Sequence, residues 1–138
     1  MTAGARAAQQ LIAEKDAFAS AITDALYAER PGLLEKYGAA GREKCLQDLH
    51  YTIEHLIPAL DLGAHVMFAD YVRWLDSLLR ARRVDTSDVV RSLELTAEIA
   101  RQRMPSDCAT AVGEMVRAGL DALPTIDSLV DTESTERP

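Results

Sequence analysis

The sequence predicts a single all-α domain. Apolar residues recur at helical spacing in every segment longer than ten residues, and no segment shows the alternation of a β-strand. Hydrophobic residues make up 48% of the chain but aromatic residues only 5%, so the core is mostly aliphatic, as in helix packing. A chain of 138 residues suffices for one domain with a substantial core. We expect this domain to span residues 1–123, followed by a disordered acidic tail at 124–138.

About six helices are predicted, each bounded by residues that stop or start a helix. Pro31 and Gly32 end the first helix, Gly63 follows the central one, and Pro124 ends the last. Asp85 or Thr86 is suited to cap the penultimate helix. The expected segments are residues 6–28, 33–37, 41–60, 65–82, 86–103 and 106–123.

The central helix, residues 41–60, carries chemically useful side chains beside its apolar face. Asp48, Tyr51 and His55 follow one another at spacings of three and four, so they are neighbours along one stripe. Cys45 lies one turn before Asp48, where the apolar and polar faces meet. A thiol and a carboxylate in this position can attach a ligand and bind its polar atoms. They are equally compatible with a small buried hydrophobe, or a redox sensor, beside a solvated acid.

Other signatures of chemistry are weak or missing. Metal-ligand spacings, a P-loop and a glycine-rich dinucleotide loop are absent from the sequence, so we expect no enzyme. The helix after the central one has its only histidine, His65, at its start, which disfavours a proximal haem ligand. Phe68, Tyr71 and Trp74 on that helix form either core or the lining of a pocket.

Composition limits the possible partners and compartments. A net charge of −7 disfavours nucleic acid and anionic membranes as partners. No apolar run approaches the roughly 20 residues of a membrane span, and the N-terminus lacks the apolar segment of a signal peptide. The two cysteines make no disulfide framework. We therefore expect a cytoplasmic protein with reduced thiols.

The pattern Lys44-Cys45-x-x-Asp48-x-x-Tyr51 resembles the bilin-attachment helix of the phycobiliproteins, the globin-fold antenna proteins. Downstream, Arg73-x-Leu75-Asp76 and the turn at 84–87 resemble that family's next helix and turn. The resemblance implies a globin-like helical bundle. It implies that Cys45 forms a thioether with a linear tetrapyrrole, whose pyrrole N–H groups donate to Asp48.

The sequence also departs from that family. Gln47 occupies the position where the family usually has an arginine that pairs with a bilin propionate. Trp74 replaces a small glycine and can fill space that a chromophore would use. The helical hairpin by which antenna subunits pair has no counterpart at the N-terminus. These differences indicate a relative of the antenna proteins rather than an antenna subunit.

We therefore expect a non-enzymatic sensory or regulatory domain that holds an elongated apolar ligand between the central helix and the next one. A bilin is the ligand that the resemblance implies; a fatty acid, haem or no ligand are alternatives. A ligand-free protein-interaction module of the same fold is the competing interpretation. The candidate binding residues are Cys45, Gln47, Asp48, Tyr51, His55, Tyr71 and Trp74.

The last two helices carry apolar residues beyond a single stripe. Leu95 and Ile99 lie on one helix and Met115 on the other. Globin-like sensor proteins resemble one another in forming dimers through the corresponding helices. We accordingly predict a homodimer formed by the last two helices, with a signalling protein as a possible further partner.

Overall fold

The computed structural model describes residues 1–124, which form five helices and no strand. The all-α prediction is thus confirmed for this part of the chain. The predicted tail lies outside the described residues except for Pro124. Within residues 1–124, no helix combines the length and apolar character needed to cross a bilayer. The helices are α1 (Ala3–Glu29), α2 (Gly32–Leu62), α3 (His65–Ala81), α4 (Thr86–Arg103) and α5 (Ser106–Asp121).

Five helices rather than about six are present because the short segment before Gly38 joins the central helix. The backbone of Gly38 has φ 70° and ψ −173°, which bends α2 without an intervening loop. This conformation is essentially restricted to glycine. A milder irregularity interrupts α1 at Glu14, with φ −120° and ψ 23°. The globin-like arrangement of the helices stays a prediction.

The core lies between the N-terminal pair of helices and the C-terminal three. α1 packs mainly on α2, while α5 packs on both α3 and α4. The approach of α3 to α5 is close at Gly119, where a Cβ atom would lie 2.9 Å from atoms of both Phe68 and Val72. The largest fully buried side chains include Phe18, Phe68, Leu11, Ile22, Ile53, Leu56, Leu93 and Met115.

The apolar residues on which the dimer prediction rested belong to this core. Leu95 is 4% exposed, Ile99 6% and Met115 2%. In a helical projection they lie outside the single apolar stripe of each helix. They are buried nonetheless, because neighbouring helices cover α4 and α5 on more than one side. The interpretation of these residues as a surface for pairing was therefore wrong. The homodimer stays a prediction without that support.

A buried carboxylate fastens the end of α3 to the start of α4. Asp76 is 1% exposed, accepts a hydrogen bond from the Thr86 hydroxyl at 2.8 Å and pairs with Arg80 at 3.1 Å. The connecting residue Arg83 adopts a left-handed backbone with φ 65°. This connection places the C-terminal end of α3 beside α2, next to the cavity described below.

Candidate functional site

A cavity of about 340 Å³ lies between α2, the end of α1, the end of α3 and the start of α4. We call it the Cys45 cavity. Apolar atoms form most of the surface of its wall. The aliphatic residues that contribute are Leu26, Leu33, Leu49, Leu75, Leu79, Val84 and Val89. The polar residues that line it are Tyr27, Tyr37, Lys44, Cys45, Asp48, Thr52, Arg82, Asp88 and Ser92. An apolar pocket with a few polar groups is the usual character of a small-molecule site.

Cys45 lines the cavity, as predicted, and its side chain is half-buried. Burial, with a smaller contribution from the nearby Asp48 carboxylate, raises the pKa of this thiol to about 11. The thiolate is the nucleophilic form of cysteine, so the thiol is almost entirely unreactive at neutral pH. The environment therefore favours a packing role for Cys45 over thioether formation in the ligand-free protein.

Asp48 also lines the cavity, one turn from Cys45, and its side chain is 19% exposed. An Arg82 guanidinium nitrogen lies 4.0 Å from its carboxylate. Burial raises the pKa of Asp48, while the cations of Arg82 and Lys44 oppose that change. Asp48 is thus neither fully solvated nor tightly paired, and it can accept a hydrogen bond from a group inside the cavity.

The other predicted site residues lie elsewhere. Tyr51, His55, Tyr71 and Trp74 line a shallow depression on the outer side of α2 and α3, together with Met67 and Asp70. We call these six residues the aromatic groove. Gln47 is exposed and lines neither the cavity nor the groove. The predicted site residues therefore line two separate depressions, and Gln47 lines neither.

A pair of buried hydroxyl groups forms the wall between the two sites. The Tyr71 hydroxyl lies 2.9 Å from Thr52 Oγ1, which itself donates to the Asp48 carbonyl at 3.0 Å. Thr52 faces the cavity and Tyr71 faces the groove. Burial raises the pKa of Tyr71 to about 12, so its hydroxyl stays protonated and retains its hydrogen bond. This contact separates Asp48, which lines the cavity, from His55, which lines the groove.

Trp74 does not occupy space in the cavity. Its side chain is 58% exposed at the edge of the groove, whereas Phe68 is fully buried and Tyr71 is 7% exposed. The expectation that Trp74 fills space in a ligand site therefore does not apply to the Cys45 cavity. Phe68 and Tyr71 belong to the core, and Trp74 belongs to the surface.

Residues 32–37 cover one side of the cavity, and we call them the lid. Leu33 and Tyr37 contribute side chains to the cavity wall. The Tyr37 hydroxyl donates a hydrogen bond of 2.9 Å to the carbonyl oxygen of Arg83. Because the lid meets the rest of α2 at Gly38, its position depends on that glycine and on the Tyr37 hydrogen bond.

Apart from Asp48, the charged residues of the cavity were not predicted from the sequence. Lys44 was visible one turn before Asp48 but was read only as part of a motif. Arg82 lies 34 positions after Asp48 in the chain, and no local pattern relates the two residues. Asp88 pairs with Arg30 inside the fold, a contact between residues 58 positions apart that no local pattern indicates.

None of the three histidines lines the cavity. His50 faces Asp16 at 3.6 Å, His55 stacks on Tyr71 in the groove, and His65 begins α3. Among residues 1–124, no group of three or more His, Cys, Asp or Glu side chains is arranged to hold a metal ion. A histidine-bound haem in the cavity thus has no support from its lining residues.

No protein-family model and no curated protein matches this sequence.

Proposed function

We propose that this protein is a non-catalytic sensory or regulatory module that holds one elongated apolar molecule in the Cys45 cavity. The observation that carries the proposal is the cavity itself, with an aliphatic wall and a few polar groups between α2 and the end of α3. Pockets of this kind bind through apolar burial, while the polar groups select orientation. The globin-like fold remains part of the proposal on the strength of the sequence resemblance.

The size of the cavity favours a slender ligand. A volume of about 340 Å³ is near the lower end of the range for drug-sized ligands, roughly 300–1,000 Å³. An acyl chain suits this space better than a four-ring tetrapyrrole. Thioether formation between Cys45 and a bilin would also be slow, because the thiol is largely protonated at neutral pH. A fatty acid is therefore the ligand class that the site supports best, and a bilin is the alternative.

Two cations at the cavity favour an anionic head group. Lys44 is exposed and Arg82 is 40% exposed, so both can meet solvent and ligand at once. Asp48 and Asp88 bring two opposing charges to the cavity wall, but Asp88 is already paired with Arg30. Lys44 and Arg82 therefore face Asp48 alone as an unpaired carboxylate. A carboxylate at the end of an acyl chain would pair with Arg82 or Lys44.

Purified protein and defined lipids test the proposal. Native mass spectrometry and an absorption spectrum first show whether the protein carries a ligand; a visible band would replace the fatty acid with a tetrapyrrole. Titration with the fluorescent cis-parinaric acid, then displacement by dodecanoic acid, measures binding to the emptied cavity. Failure of every probe to bind would refute the proposal.

Matched variants locate the bound molecule. We expect Lys44→Ala and Arg82→Ala each to weaken the binding of dodecanoic acid about two- to fivefold, as for a solvent-exposed ion pair. The affinity for dodecanol, which carries no charge, should be unchanged. Arg117→Ala removes a cation that is 74% exposed and does not line the cavity, and should change neither affinity. Equal effects of all three substitutions would contradict the assigned site.

A further inference from the structure

The aromatic groove has two parallel rows of exposed side chains. On α2, Tyr51 and His55 are one turn apart; on α3, Asp70 and Trp74 are likewise one turn apart. Tyr71 forms the floor, with its ring centroid 4.1 Å from that of His55 and 6.0 Å from that of Trp74. The His55 ring is held in place because its Nδ1 donates to the Tyr51 carbonyl at 2.7 Å.

The exposure of these rings is unusual for a chain with so few aromatic residues. Trp74 is 58% exposed and Tyr51 56%, while both phenylalanines of the chain are 1% exposed or less. Met67, at the end of the groove towards the α2–α3 turn, is 39% exposed, and its chain neighbour Val66 is 73% exposed. Tyrosine, tryptophan and methionine are enriched at protein interfaces. Tyrosine and tryptophan in particular often contribute much of the binding free energy there.

The electrostatics of the groove select a cation. The faces of aromatic rings attract cations, most strongly over tryptophan. Asp70 is the charged residue that lines the groove, and it already pairs with the exposed Arg73 on its own helix. An exposed pair of this kind contributes little stability, so a guanidinium from another molecule can replace Arg73 at small cost.

From this arrangement we propose that the aromatic groove binds an arginine-bearing segment of a partner protein. The guanidinium stacks on Trp74 and pairs with Asp70, while apolar neighbours in the segment cover Met67 and Val66. Arginine is favoured over lysine because its planar guanidinium stacks on aromatic faces and forms paired hydrogen bonds with a carboxylate. The groove shares no lining residue with the Cys45 cavity, so this inference does not depend on the ligand proposed above.

Two other occupants fit less well. A second copy of the chain would bring together two molecules of net charge −7, and a two-fold contact through the groove would bring their Asp70 side chains close together. A small cation would contact only the rings and leave Val66 and Met67 uncovered. An extended segment covers both the rings and the aliphatic end of the rows.

Two-dimensional NMR of the labelled full chain tests the proposal, because Trp74 is the sole tryptophan and its indole N–H signal reports on the groove. The probes are a short capped peptide of alternating leucine and arginine and the same peptide with citrulline in place of arginine. We expect the arginine peptide to shift the Trp74 signal and to bind about two- to fivefold more tightly than the citrulline peptide, as for an exposed cation–π contact. Equal binding of the two peptides, or no shift of Trp74, would overturn the proposal.

Variants separate the aromatic faces from apolar area. Trp74→Leu removes the indole signal, so the affinities of this variant are measured from the backbone amide signals of the other groove residues. It keeps an apolar side chain and should lower affinity for the arginine peptide about two- to fivefold without changing affinity for the citrulline peptide. Ile12→Ala, at a residue on α1 that is 64% exposed, should change neither. Shifts of Trp74 that depend on protein concentration alone would identify a second copy as the occupant and also overturn the proposal.

Discussion

Replacement of Gly38 by alanine tests how the lid is held over the cavity. The backbone of Gly38 has φ 70° and ψ −173°, a region in which L-residues are strained by about 1–3 kcal/mol. A Cβ atom added there would meet no other atom within 4 Å, so the cost is purely conformational. We expect Gly38→Ala to lower the free energy of unfolding by this amount, unless the lid releases its strain by opening.

Gly113→Ala is the matched control. Gly113 lies within α5, its backbone is helical, and an added Cβ would again meet no atom within 4 Å. Alanine exceeds glycine in helix propensity by about 1 kcal/mol, so this substitution should stabilise the protein. The two glycines therefore respond with opposite sign to the same chemical change.

Urea unfolding and hydrogen exchange together measure the effect. With a denaturant slope of about 2 kcal/mol per M, Gly38→Ala should lower the midpoint by about 0.5–1.5 M, and Gly113→Ala should raise it by about 0.5 M. If the lid opens instead, amide exchange at residues 33–37 should accelerate while the midpoint changes less. An unchanged midpoint with unchanged exchange in the lid would refute the assigned role of Gly38.

Three further predictions concern the Cys45 cavity. Tyr37→Phe removes the hydrogen bond to the Arg83 carbonyl, worth about 0.5–1.5 kcal/mol, so a bound fatty acid should dissociate about two- to tenfold faster in stopped-flow displacement; an unchanged rate would argue against the lid. Alkylation of Cys45 by iodoacetamide, followed peptide by peptide by mass spectrometry, should be slow at neutral pH and rise about tenfold per pH unit, because the thiol pKa is about 11; a plateau at mildly alkaline pH would contradict this. Asp48→Asn should stabilise the ligand-free protein at neutral pH, because burial raises the folded-state pKa of Asp48 and its ionised form therefore opposes folding. That gain should vanish in thermal melts below the unfolded aspartate pKa of about 3.9, where the carboxyl is protonated in both states; a gain independent of pH would rule out ionisation as its cause.

The sequence by itself determined the features that depend on local spacing. Helical periodicity predicted the all-α class, and the stop at Gly63 matches the structure because a glycine with a left-handed backbone ends a helix locally. The start at Thr86 also matches, although Asp85 forms no side-chain cap and the Thr86 hydroxyl donates to Asp76 instead. Cys45 and Asp48 line the same cavity because residues one turn apart on one helix must face a similar direction. The sequence did not predict that residues 33–37 and the central helix join at Gly38. A glycine can either end a helix or bend it, and the residue type alone does not distinguish the two.

Only the tertiary structure decided which helices meet and what they enclose. Tyr71 reaches Thr52 across two helices, and this contact separates Tyr51, His55 and Trp74 from the cavity. The end of α3 brings Arg82 to Asp48, although the two residues lie 34 positions apart in the chain. Leu95, Ile99 and Met115 are buried because neighbouring helices cover α4 and α5 on several sides, which a projection of one helix does not reveal. Side-chain burial is a property of the packed assembly, whereas periodicity describes one helix alone.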